Sequence, residues 1–344
     1  MITFFDYLKL IAEEAVAQAP NPAGANPAMP GAAGAQKPAS FSQQFTRGAA
    51  DPTNKGFSAN ANISQANMQG QDIQQNKQKL QDILGKDYST FVQILGQNIN
   101  DPKFLKFLQM GLEDGAKQDD VVKFQQMQIP CAQLTPTQNE IDMGQSLAYP
   151  LQKTPATKLM QYFAGVPQSP GGPIITCCGG KFIIDGHHRW SQLFCMNPAC
   201  PISAIDMSGI GSPEMALKIA QIGAVAQGTY KQATVKPGNN LITVGKQALE
   251  QFVDNTMEQQ AYDAFAQLQQ QMSGNQNRKE AVDPNDPVVQ FANNYLWKNV
   301  QQMQQNNAPI AGAPKRNLMP QTGDSAAGFM RHLAAGKVNW NMQT

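Results

Sequence analysis

The hydrophobic positions change period several times along the chain, and the changes mark its elements. Phe4, Phe5, Leu8, Ile11, Ala12 and Ala15 recur on one helical face at the start. "APNPAGANPAMPGAAGAQKPAS" then loses all periodicity; a Pro/Ala/Gly tract of this kind buries no core and reads as a linker, with disorder continuing to about residue 62. From 63 to 125 the helical period returns. Ile73, Leu80, Ile83 and Leu84 share a face, and "NDPKFLKFLQMGL" offers Asp101 as N-cap and Pro102 as first helical residue. Phe104, Leu105, Phe107 and Leu108 are the packing residues of that helix.

Between about 126 and 208 the period shortens. "MQIPCAQLTPTQNEI" reads as a strand, a Pro-punctuated turn and a helix start, and "TPATKLMQYFAGV" as a helix. "PIITC", "KFIID" and "PISAIDM" are short strands, the first two separated by the turn-forming "CGG", with "HRWSQLFCM" a helix before the third. This stretch predicts a small α/β unit that holds the main core. A helix starts at Ser212-Pro213-Glu214, and a second, long one covers about Val244 to Met272, within a helical segment of 209–273. From 274 the chain turns Gln/Asn/Pro-rich and reads as a mostly disordered tail with one helix at "DPVVQFANNYLWKNVQQMQ". The expected class is α+β: a small mixed domain, flanking helices, and long disordered segments at both ends.

Composition narrows the functions. Hydrophobic residues are 41% and charged ones 15%, with a formal net charge of +1, so no global field recruits nucleic acid or an anionic membrane. DNA binding is therefore expected to be weak and lost steeply with salt. No apolar run approaches the roughly 18 residues of a membrane span. The five cysteines (131, 177, 178, 195 and 200) form no framework and point to free thiols in a reducing, cytoplasmic compartment. "CMNPAC", with Cys177, Cys178 and two histidines, falls short of a clear zinc motif.

The chemistry concentrates in "KFIIDGHHRWSQLF", which carries two of the three histidines. A strand that ends at Asp185-Gly186 and turns into a helix places free N–H groups at the turn, where they favour an anion. Gly186 permits the tight turn and a close ligand approach. Arg189 is a fixed fork suited to phosphate oxygens, and His187 and His188 can donate or shuttle a proton. Asp185 can hold a metal ion or accept a proton. Thr137 and Gln138 read as capping residues, and Trp190 as core.

"PIITCCGGKFIIDGHHRWSQLFCMNPACPISAIDM", with "IPCAQLTPTQNEI" upstream, resembles the ParB/sulfiredoxin superfamily over about 126–208, a quarter of the chain. His187 stands where sulfiredoxin carries its reactive cysteine, which speaks against peroxiredoxin repair. The chain also lacks the Gly-Glu-Arg-Arg loop with which chromosome-partitioning relatives bind CTP, and their basic recognition helix. The DGHHR-loop branch includes free-serine kinases. Their resemblance implies a site of Asp185, Gly186, His187, His188 and Arg189 for ATP or CTP with Mg²⁺ on Asp185, catalytic roles for Asp185 and His187, and Glu140 in "PTQNEI" as the catalytic glutamate. Other relatives are labelled nucleases, but no carboxylate cluster for two metals is visible.

Residues 1–13, ending in Ile11-Ala12-Glu13, resemble the capsid-targeting peptides of internal head proteins in large tailed phages, clipped after a Leu/Ile-x-Glu tripeptide. That resemblance implies capsid or scaffold partners and a place inside the virion head. Three expectations stand: a nucleotide-dependent phosphotransferase or NTPase, a ParB-like nuclease or DNA binder, and a virion structural protein that keeps the fold without chemistry.

Overall fold

The computed structural model describes residues 78–111, 119–228, 230, 240–273, 286–320 and 327–341. Its elements in chain order are α1 (Tyr88–Asn98), α2 (Pro102–Leu108), β1 (Lys123–Pro130), β2 (Thr135–Pro136), α3 (Met143–Gln152), α4 (Ala156–Phe163), β3 (Ile174–Cys177), β4 (Phe182–Asp185), α5 (His187–Met196), β5 (Pro201–Ser208), α6 (Pro213–Ala226), α7 (Lys246–Thr256), α8 (Gln259–Ser273), α9 (Pro287–Asn306) and α10 (Ala327–Ala334). The chain is mixed α and β with flanking helices. It divides into two compact units, the first made of residues up to Val122, Lys218–Lys231 and the residues from Pro320 on, the second of Lys123–Leu217 and Gln232–Met319. The amphipathic start, the linker and Ile73 lie outside the described residues.

In the first unit the sequence signals act as expected. Asp101 caps α2 by accepting the N–H groups of Lys103 (2.8 Å) and Phe104, with Pro102 at its start. Phe104, Phe107 and Leu108 are buried there, and Leu105 is half-buried. Lys218 is buried too, with its ammonium donating 2.7 Å bonds to the carbonyls of Leu84 and Lys86, so its charge is solvated by protein.

The second unit is built on a five-stranded sheet in the order β1-β5-β3-β4-β2. β1 pairs antiparallel with β5 from Lys123↔Ser208 to Pro130↔Pro201, β5 runs parallel to β3, β3 and β4 form a hairpin, and β4 pairs parallel with the short β2. β3 and β4 bury apolar side chains on both faces, as Ile174, Ile175, Ile183 and Ile184 are all buried. Trp190 on α5 is fully buried, edge-on to Phe194, and its indole N–H donates to the Cys131 carbonyl at 2.9 Å. It is a core residue, as expected.

Two element boundaries and one pair of capping residues differ from the sequence expectation. The helix expected to start in "PTQNEI" starts at Met143, because Asp142 is the residue whose carboxylate caps it, accepting the Gln145 N–H at 2.7 Å. Thr137 and Gln138 cap nothing: the Thr137 hydroxyl donates to the Ile183 carbonyl at 2.5 Å, and the Gln138 amide donates to the Glu140 carbonyl. The single long helix expected from Val244 to Met272 is two helices. Met257 is extended (ψ 118°) and buried, and the Glu258 N–H leaves the helix to donate to the Leu151 carbonyl at 3.0 Å.

The helix expected at "DPVVQFANNYLWKNVQQMQ" forms as α9, but residues 286–319 are part of the core and not of the tail to which composition assigns them. Asp286 caps α9 through the Val288 N–H (2.6 Å), with Pro287 at the first helical position. Val289, Ala292, Leu296, Val300 and Met303 enter the same core as Trp190 and Phe194. Polar side chains then fix the register: Tyr295 donates to the Met196 carbonyl, Asn299 to that of Cys195, both at 2.7 Å, and Asn307 to those of Ala132 and Leu134. The core of the 126–208 segment is thus shared with residues far outside it.

Candidate functional site

The strand-turn-helix of β4 and α5 forms as the sequence implies. β4 ends at Asp185, Gly186 takes φ +94°, and α5 begins at His187 with no side chain capping it. Glycine is required at the turn, since a Cβ there would lie 2.6 Å from Ile174 Cγ2 and 2.9 Å from Arg189 Nη2. The open N–H groups of the first turn of α5 and the positive end of its dipole remain at this place.

Arg189 folds back over the turn. Its Nη2 pairs with Asp185 Oδ2 at 2.6 Å, and its Nη1 donates to the carbonyls of Pro173 (2.7 Å), Gly172 (3.2 Å) and Gly171 (3.5 Å). Four acceptors therefore fix the guanidinium, which ties the end of β4 to the loop before β3.

The two histidines face the loop between β2 and α3. His187 Nε2 accepts the Thr137 N–H at 3.1 Å, and His188 Nε2 accepts the Asp142 N–H at 3.3 Å. An accepting Nε2 leaves the ring proton on Nδ1 and the imidazole neutral. The electrostatics agree. Burial, followed by His188, Arg189 and Arg316, holds His187 down to about 3. Burial and Arg316 hold His188 down to about 4, against a smaller opposing pull from Asp142. Each Nε2 is thus occupied as an acceptor, and the proton that either ring can donate is the one on Nδ1.

This arrangement makes a prediction about acid. Both histidines titrate lower in the folded chain than the ordinary 6.5, so below that pH the unfolded chain binds more protons. Their contribution to stability is complete above pH 6.5 and is lost as pH falls toward 4 and then 3. Urea unfolding across that window should show a midpoint that falls with pH in the wild type and falls less in His187→Asn. Equal slopes for the two proteins would contradict the buried, neutral assignment.

The fourth basic group of the site is Arg316, in a short 3-10 turn at Arg316–Leu318 that follows α9. Its Nη1 lies 3.2 Å from His188 Nε2, its Nη2 donates to Gln145 Oε1 at 2.7 Å, and its backbone N–H donates to Glu140 Oε2 at 3.1 Å. Its Nε–H is buried and has no hydrogen-bond partner. The Asn139 N–H adds a 3.0 Å bond to the Pro314 carbonyl, and the Ile310 N–H one of 3.2 Å to that of Pro136, so the segment lies along the whole loop.

All six residues expected from the sequence therefore belong to one network. Asp185, Gly186 and Arg189 form the turn, His187 and His188 tie it to the loop, and Glu140 joins through Arg316 and His188. Sequence reasoning missed Arg316, Thr137, Asp142 and Gln145. Arg316 is 128 residues from His188 along the chain and sits in a Pro-rich stretch with no hydrophobic period, so no local signal could have found it.

No family model, no curated protein and no solved structure matches this chain.

For a metal, no group of three or more His, Cys, Asp or Glu side chains among the described residues is placed to hold an ion. Mg²⁺ makes a smaller demand, since it is commonly held by one or two carboxylates together with a substrate's phosphates. Asp185 fits that requirement, because its Oδ1 takes no part in the pair with Arg189. The five cysteines are free thiols, and burial pushes Cys195 up to about 12 and Cys200 to about 11. Among the described residues no helix is long and apolar enough to cross a membrane.

Proposed function

We propose that the protein binds a nucleoside triphosphate through its phosphates at the N-terminus of α5 and transfers or hydrolyses the terminal phosphoryl group. The observation that carries this reading is an uncapped helix start, reached through a left-handed glycine, with a partly buried arginine beside it whose Nε–H lacks a partner. Open N–H groups and a desolvated cation are complementary to phosphate oxygens. The likeness of Asp185 to Arg189 to the DGHHR loop of the ParB/sulfiredoxin superfamily supports the same reading, with ATP or CTP as ligand.

In this reading the first-turn N–H groups of α5 and Arg316 hold the phosphates. Arg189 acts as a positioning residue that keeps Asp185 in place. Asp185 accepts the proton of the attacking hydroxyl or water, and Glu140, fixed by the Arg316 N–H, orients that acceptor. Mg²⁺, when bound with the nucleotide, would neutralise charge building on the phosphates. Titrating the full chain with ATP and with CTP in the presence of Mg²⁺ tests the proposal. Saturable binding of either supports it, and binding of neither removes it.

One observation favours a second reading, a fold kept without chemistry. Arg189 and the Nε2 atom of both imidazoles are engaged by internal partners. Under that reading the chain is a structural protein of a phage head. The targeting peptide that would deliver it there, residues 1–13, lies outside the described residues. Protein taken from purified particles should begin at Glu14 by mass spectrometry, and an intact Met1 there would remove the targeting idea.

A further inference from the structure

Cys177 and Cys178 stand at the end of β3, where the chain turns through Gly179 and Gly180 into β4. Neighbouring residues in a strand point to opposite faces. That alternation fails here. Cys178 has φ +58°, alone among the described non-glycine residues in being positive, and its Sγ lies 3.5 Å from that of Cys177. The turn is held from both sides. Asp206 Oδ1 accepts the Gly180 N–H at 2.8 Å and the Thr176 hydroxyl at 3.1 Å, while Cys178 Sγ donates to the Ile210 carbonyl at 3.4 Å. Of the five cysteines, four are buried and Cys178 alone is partly exposed.

We propose that Cys177 and Cys178 are an oxidisable dithiol, which a peroxide converts into a disulfide between the two adjacent residues. The Cys178 thiolate attacks one peroxide oxygen. The O–O bond breaks, the leaving oxygen takes a proton and departs as water, and Cys178 becomes a sulfenic acid. Cys177 Sγ then attacks that sulfur. The S–S bond forms, the S–O bond breaks, and the hydroxyl leaves as water with the proton of the Cys177 thiol. Two thiols and one peroxide give one disulfide and two waters, the peroxide taking the two electrons.

Burial assigns the two roles. The oxidant meets Cys178, while Cys177 is fully buried and its thiol is pushed well above the ordinary range, so it serves as the resolving group. Bond formation brings the sulfurs from 3.5 Å to about 2.05 Å. Gly179 gives the turn room to move, since a Cβ there would meet nothing within 4 Å. Adjacent Cα atoms are about 3.8 Å apart, closer than in most disulfides. The ring is therefore strained and readily reopened by thiols, as suits a reversible mark and not a structural staple.

The test is limited hydrogen peroxide on the folded full chain, followed by alkylation and peptide mass analysis. The expected result is loss of two hydrogens from the peptide carrying both residues, a fall in alkylated thiols from the five of the sequence to about three as one disulfide forms, and full recovery with a thiol reductant. In Cys177→Ser the reaction should stop at a sulfenic acid on Cys178 that a dione probe captures. The proposal is overturned if the wild type keeps both thiols alkylatable, if Cys178 is overoxidised while Cys177 stays free, or if Cys177→Ser still loses two hydrogens.

Discussion

Replacing Gly186 by alanine should cost the fold about 2–5 kcal/mol, from left-handed strain at a residue with a side chain and from overpacking. The backbone there sits at φ +94°, a conformation L side chains rarely adopt. The added Cβ would also meet Ile174 Cγ2 at 2.6 Å and Arg189 Nη2 at 2.9 Å. Ile174 is fully buried in a central strand and has nowhere to go. Arg189 can swing aside only by leaving Asp185 and the three carbonyls that hold it. The Asp185 carboxylate would then lose its cation, so the change disturbs the site as well as the fold. Denaturant midpoints for wild type and variant measure the cost. A loss under about 0.5 kcal/mol, the range of ordinary surface changes, would mean the turn is not the tight one described.

Ending the chain at 285 should leave no cooperatively folded second unit. The buried side chains of Val289, Leu296, Val300 and Met303 contribute about 1.5–3 kcal/mol each, which together rivals the whole stability of a typical domain. Loss of Asn307 would in addition strand the buried carbonyl of Leu134 and remove a partner from that of Ala132. Leu296→Ala in the intact chain gives a graded version, with an expected loss of about 2–5 kcal/mol. A truncated chain that keeps the wild-type unfolding midpoint would contradict the shared core.

What the sequence could and could not convey follows from the range of each signal. The three central strands, the Gly186 turn, the start of α5 and the caps at Asp101 and Ser212 are local devices. Each is written in a few consecutive residues, and each appears where the pattern puts it. The break at Met257 has no Gly or Pro to announce it; it comes from a tertiary hydrogen bond to Leu151. The helix of α9 is announced by its pattern, but its place in the core is hidden for a related reason. Its Asn and Gln residues look like those of a disordered tail, yet Asn299 and Asn307 are buried and satisfied by carbonyls of distant elements. The same limit applies to the site. The DGHHR turn was legible, but the partners that decide its chemistry were not. Neutral histidines that accept from Thr137 and Asp142, and an arginine arriving from residue 316, depend on contacts no short motif encodes.

Titration calorimetry decides whether phosphates bind at the start of α5 with Arg316 as their cation. The full chain, its Arg316→Ala variant and its Asp185→Asn variant are titrated with ATP and with CTP in Mg²⁺, and phosphate release is followed in parallel. Wild type should bind one of the two nucleotides. Arg316→Ala should weaken binding by about 1.5–3 kcal/mol, the range for a charge-assisted hydrogen bond, in a variant that still unfolds cooperatively. Asp185→Asn should keep more of the binding than of the turnover, because it keeps the shape and removes the charge. Binding that Arg316→Ala leaves unchanged, or no binding of either nucleotide to the folded wild type, would contradict the account.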